Sequence, residues 1–369
     1  MNHGRFVSLV SACFLFALPI RLGASAIYQI TDLGVLPGGS VSSATAISSN
    51  GLVAGYGDAT SLISQPFLWS SGAGLSGLNV GSPLAEALGV NASGTVAGYL
   101  LSSDLSTTSA FTTDGASTAL IPTLGGANNV ATAINDSGTV VGYSDTADGS
   151  QIAFSYDGST LSSLGLLPSG TTSAAYAINA SGVIAGQADA ADGSFHAVVS
   201  SGGTWTDLGI PTGYASSDAT AIANSGYVAG TLTDGLGASM GFLWTPSDPT
   251  DMTLLGALTV GGDSQAYGVN SSGLVVGTSD GVAFLFDSTG IQDLNTLLDP
   301  ASTGWELESA TAINDLGQIA GTGYYGGAMH GFLLDPETSP VPEPAGATLA
   351  SVGLLLAACW RRRSRKERV

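Results

Sequence analysis

The sequence predicts an all-β fold, a seven-bladed β-propeller, and three observations carry that expectation. A motif of the form A-x-A-I-N-x-S-G-x-V-A-G begins at Ala44, Ala87, Ala131, Ala175, Ala219, Ala266 and Ala310, at spacings of 43, 44, 44, 44, 47 and 44 residues. That period is typical of propeller blades. The chain is rich in glycine, 53 of 369 residues, and short apolar runs alternate with turn residues throughout its body. The last repeat also lacks one strand, and the N-terminus supplies it.

Each motif reads as a hairpin. In the third copy Ala133-Ile134-Asn135 and Thr139-Val140-Val141 are strand segments, and Asn135-Asp136-Ser137-Gly138 between them supplies the turn. Asn91, Asn135, Asn179 and Asn270 also satisfy N-x-S, but the turn accounts for them. A third strand follows about twelve residues later, as in Pro66-Phe67-Leu68-Trp69, His196-Ala197-Val198-Val199 and His330-Gly331-Phe332-Leu333. A fourth element, Leu followed by Gly or Asn, recurs six times after the hairpins, from Leu75–Asn79 to Gln292–Asn295. Its seventh copy, Tyr28-Gln29-Ile30-Thr31-Asp32-Leu33-Gly34, stands alone near the start. A ring closes if Ile27–Gly34 completes the seventh blade and leaves no open edge. Residues 27–336 then hold seven blades of about 44 residues each. An open β-solenoid, the competing architecture, has no need of the displaced strand.

The two ends read as addresses. Residues 1–26 have the form of a secretory signal, with Arg5, an apolar run Phe6–Ile20 and an A-x-A cleavage site at Ala24-Ser25-Ala26. Residues 337–369 hold Pro342-Glu343-Pro344, one short apolar helix over Ala345–Trp360 and a basic tail with Arg361, Arg362 and Arg363. Such a segment holds at a membrane with its positive tail in the cytoplasm. The order resembles the PEP-CTERM sorting signal of Gram-negative bacteria. That resemblance implies recognition by an exosortase-type processing protease and export to the cell surface or its extracellular polymer; a permanent anchor is the alternative. The repeats are similar to those of the HAF-repeat family of exported proteins, although the His survives only at His196 and His330. Membership would imply export and a repeat fold, and no activity.

Charge excludes several functions. Every Lys and Arg lies outside residues 27–341, which hold all but Glu343 and Glu367 of the 28 Asp and Glu. A body without cations cannot neutralise phosphates, which excludes nucleic acid as a partner. Schiff-base lysines and arginine clamps are excluded with it. Cys13 and Cys359 both fall in the end segments, so a processed body has no thiol.

Candidate chemistry is sparse. His196 and His330 sit at equivalent repeat positions and read as strand consensus rather than as members of a Ser-His-Asp triad or a zinc site. Glu306 and Glu308, two apart in the insert before the last hairpin, are the nearest carboxylate pair and would face one side of a strand. Two adjacent blades carry the loop Asp-x-x-Asp-Gly, which makes Asp145, Asp148, Asp189 and Asp192 candidate calcium ligands. The long loops should open on one face, where Tyr56, Tyr99, Tyr143, Tyr214, Trp305, Tyr324 and Tyr325 accompany the acids. The expectation is a non-catalytic surface or matrix protein that binds extracellular polysaccharide or a protein partner there. A carboxylate-dependent glycosidase or calcium-assisted lyase is the alternative.

Overall fold

The computed structural model describes residues 28–60 and 62–337. The signal, its cleavage site at Ala24 and Ala26, and the sorting segment with Pro342, Glu343 and Pro344 lie outside the described residues. Twenty-eight strands form seven four-stranded antiparallel sheets. Their first strands touch in a closed cycle, the seventh meeting the first. Blade 1 takes its strands in chain order from the axis outward: Ser42–Ile47, Val53–Ala59, Leu62–Ser70 and Gly74–Gly77. Blades 2 to 6 repeat this order. Blade 7 consists of Trp305–Ile313, Ile319–Tyr325 and Ala328–Pro336, with Tyr28–Asp32 as its outermost strand. That pairing runs from Tyr28 opposite Pro336 to Asp32 opposite Phe332, so the N-terminal strand does close the ring. The one described helix is a single 3-10 turn, Leu294–Leu297, in the insert before blade 7.

The repeat's last glycine and the third-strand aromatic are partners. Gly55 lies opposite Phe67, Gly142 opposite Phe154 and Gly321 opposite Phe332, and these rings are fully buried. A Cβ on Gly55 would stand 2.0 Å from the carbonyl oxygen of Ser43 and 2.6 Å from the Phe67 ring. Close approach of backbone and ring therefore demands glycine there. The cores lie between blades. The largest joins Val276, Ala283 and Leu285 of blade 6 to Ala310, Ile319 and Phe332 of blade 7, burying apolar surface that neither sheet could cover alone.

Polar staples fasten the same seams. Ser42, Ser173, Ser217 and Ser264, buried at the start of first strands, each accept from a third-strand N–H of the preceding blade. Each hydroxyl donates to a glycine carbonyl of that blade: Gly34, Gly165, Gly209 or Gly256. In blade 3 Asn129 does the same, accepting from Ala110 and donating to Ile121. The motif's asparagine does two things. Oδ1 of Asn135 accepts from the N–H groups of Ser137 and Thr139 in its own turn, and Nδ2 donates to the carbonyl of Asn179, 3.1 Å away. Asn314 passes the same bond to Ser48, across the closure. Asn91, Asn135, Asn179 and Asn270 are buried in these bonds and cannot carry a glycan.

Candidate functional site

Strand order puts the loops between second and third strands on the same face as the connections between blades. The acids there mostly serve their own turns. Asp189 accepts from the N–H groups of Thr171 and Thr172 and from the Thr171 hydroxyl, at 2.6 to 2.7 Å. Burial opposes its charge, but these donors outweigh it and hold the carboxyl below its usual range. Asp58 ties down Ser40 and Val41 in the same way. Asp145 accepts from Asn128 at 2.7 Å. Asp148 is bound by the Thr146 hydroxyl and the Ser150 N–H, Asp192 by the hydroxyl and N–H of Ser194. These donors lower both carboxyls, the hydroxyl contributing most in each. The two Asp-x-x-Asp-Gly loops thus hold themselves. Among the described residues no group of three or more His, Cys, Asp or Glu is placed to hold a metal ion, so the structure does not gather the four candidates into one site.

His196 sits in a line that superficially matches a catalytic triad. Nδ1 lies 2.8 Å from Asp207 and Nε2 lies 2.9 Å from the Ser194 hydroxyl. That hydroxyl is also 2.6 Å from Asp192, and it has one proton. The shorter contact, to a carboxylate, takes the proton, so the Ser194 hydroxyl does not give it to the ring. A nucleophile needs the opposite polarity. His330 repeats the link to the fourth strand, with Nδ1 2.9 Å from Asp32. Both histidines are clasps between third and fourth strands, and His330 clasps the closing strand.

At the tip of blade 7 the insert and the hairpin create a groove. Trp305 opens the first strand and Tyr325 ends the second; they are register partners and their rings stack, 4.9 Å apart at 15°. Gly326 and Gly327, both at positive φ, turn the chain directly after Tyr325. The edge contacts of Trp305 with Phe332 at 6.0 Å and with His330 at 6.4 Å anchor the stack to the core. Beside it opens a cleft of about 390 Å³ bordered by Asp32, Asp299, Ser302, Thr303, Trp305 and Tyr325. Tyr325 is 40% exposed. Strand alternation sends Glu306 and Tyr324 to the opposite side, where they border a second cleft with Gly304, Gly326 and Gly327. Glu308 does not join Glu306. The register passes from Leu307 to Ser309, so Glu308 is the extra residue of a β-bulge and the alternation expected from spacing two is broken.

The central channel holds residues that the sequence reading did not place there. A register shift in each first strand (Ala44/Ala46 in blade 1) frees one residue. Thr45, Thr132, Thr220 and Thr311 use that freedom to bond the carbonyls of their own and the next blade. At the corresponding places Tyr176 and Tyr267 line the channel, beside a cavity of about 210 Å³. Two residues before each of these tyrosines, at the mouth on the loop face, stand Ala174 and Gln265; Glu86 and Asp218 hold the same position in blades 2 and 5. Burial pushes the Asp218 carboxyl up to about 6, against the opposing N–H of Thr231. Burial and the neighbouring Glu86, to which it is hydrogen-bonded, push the Tyr99 phenol up. The signal was the residue just before the motif, which varies while its neighbours repeat.

Site and fold together define a closed seven-bladed propeller with an aromatic groove on its loop face. Comparison with solved structures agrees on the fold. YCF48 bound to a D1 peptide aligns over 86% of this chain and 99% of its own at 13% identity, with a TM-score of 0.51. The propeller domain of the Trilobed protease from Pyrococcus furiosus, of open velcro topology, is a looser likeness: 84% and 96% covered, 8% identity, TM-score 0.49. The six-bladed fucose-binding lectin of Aleuria aurantia is looser still, with 86% and 98% covered, 12% identity and a TM-score of 0.35. No protein-family profile matches the chain, and no curated protein matches it.

Proposed function

We propose that this chain is an exported, non-catalytic binding protein of the cell surface or extracellular matrix, and that it takes polysaccharide in the groove of blade 7. The stacked Trp305–Tyr325 pair beside Asp32 and Asp299 carries the reading. A sugar ring has apolar C–H faces and a polar rim. A half-exposed aromatic receives the first and carboxylates accept from the hydroxyls of the second. The sequence ends support export, with removal of the C-terminal segment by an exosortase-type protease.

Tyr325 is the residue to vary, because Trp305 also packs on Phe332. In pull-downs with extracellular polymer, Tyr325→Ala should lose most binding while its melting temperature stays near that of the parent. Undiminished retention would remove the groove from the account. Release of reducing sugar by the unmodified protein would instead favour a glycosidase. Intact-mass measurement of native material should give a species that begins near Ile27 and lacks Arg361–Arg368; a retained tail would mean a permanent anchor.

A further inference from the structure

The channel mouth carries groups that neither the seams nor the blade 7 groove uses. Asp218 and Glu86 sit at equivalent register positions three blades apart, opposite Thr231 and Tyr99. Tyr176 and Tyr267, from the blades on either side of Asp218, both feel its charge. Tyr267 is fixed by its bond to Gln265. Deeper in, Ile47, Ile134, Ile222 and Ile313 form an apolar waist. The far end is laced by the asparagine ring and by two bonds that skip a blade: Asn224 to Asp315 at 3.2 Å and Ser49 to Asp136 at 2.9 Å. The result is a well with an anionic, aromatic mouth and an apolar depth. No Lys or Arg lies within the described residues to meet those carboxylates. The His–Asp pairs among them link outer strands.

We propose that this well binds an organic ammonium group, of the kind borne by a lysine side chain or an alkyl diamine. Asp218 is its counter-charge, and the Tyr176 and Tyr267 rings flank it. An ammonium group donates to carboxylates and is drawn to aromatic faces, and its alkyl stem suits the isoleucine waist. A calcium ion needs six or more converging oxygens, several of them from carboxylates, and among the described residues no three of His, Cys, Asp or Glu are placed together to hold a metal ion. A neutral polyol leaves the charge unmet. The site is separate from the blade 7 groove and does not depend on the polysaccharide reading.

The test is calorimetry on the full chain with 1,5-diaminopentane, using 1,5-pentanediol as its neutral counterpart. The diamine should bind saturably at about pH 8 and the diol should not. At about pH 5 affinity should fall roughly tenfold, because only about a tenth of Asp218 is then ionised in the free protein and the groups facing it, Tyr176, Tyr267 and the Thr231 N–H, bring no cation. Asp218→Asn keeps an acceptor for Thr231, so the fold is retained, and should lose most of the affinity. Tyr176→Leu should weaken binding without affecting its pH dependence. Equal binding of the diol, unchanged affinity in folded Asp218→Asn, or non-saturating uptake abolished by salt would each overturn the proposal.

Discussion

Asp218 is a carboxylate held where the neutral form is favoured. Its carboxyl titrates near 6 in the folded state, against about 3.9 when unfolded. The sign follows directly. Below about pH 4 both states are protonated and the site costs nothing. Between pH 4 and 6 the unfolded state loses its proton first, and above 6 the folded state carries the full cost of the charge. Asp218→Asn should therefore stabilise the fold at about pH 8 by on the order of 1–2 kcal/mol after allowance for solvent screening, seen as a higher melting temperature, and change it little at about pH 4. Thermal melts at both pH values check this; equal gains would deny the buried charge. Asp189 behaves oppositely, because its folded carboxyl is lowered: its stabilisation is present above the unfolded value and fades as pH falls through the folded one. At this scale legibility was uneven. Asn135 was readable as a turn residue because turn chemistry is local. Its bond to Asn179 was not, because a repeat shows what recurs and not what it touches. Glu86 escaped for a related reason: the eye follows the constant positions, while the channel is furnished by the variable ones.

Among the elements, the strand Tyr28–Asp32 has the most to lose. It covers the edge of Ala328–Pro336 and brings Asp32 to His330. Deleting residues 27–34 should leave that edge open and uncover Leu333, so the product should aggregate or melt far below the parent. His330→Ala is the graded version: it removes only the clasp and should cost about 1 kcal/mol while the protein stays monomeric. Size-exclusion chromatography with thermal melts separates the two, and a monomeric, fully stable deletion would refute the closure. The displaced strand was visible in the sequence because an absence at one end matched a surplus at the other. The bulge at Glu308 was not, since one extra residue inside an irregular insert leaves no periodic trace. The inner bulges at Thr45 and Tyr176 were hidden differently. They occur in every blade, so the spacing already contained them.

For the whole molecule, the dominant fact is an acidic body most of whose loop aspartates already have donors. Diffuse charge of that kind responds to ionic strength. Millimolar calcium should therefore raise the melting temperature no more than sodium chloride of equal ionic strength, and a chelator should leave the melt unchanged. A saturating, calcium-specific rise would reveal an ion site at the loops of Asp145 and Asp189 after all. The closing strand has a further consequence, in time rather than in space. Six blades consist of neighbouring hairpins and can form as they are made. The seventh must join segments some three hundred residues apart, a closure costing on the order of 5 kcal/mol of chain entropy before any bond repays it. The strand made earliest among those described is thus the last to find its place, and until then it is an unpaired ribbon beside a sheet it does not yet have. Two chains folding side by side can each lend that ribbon to the other, so the circle that gives one molecule its stability is also the point at which two can become interlinked.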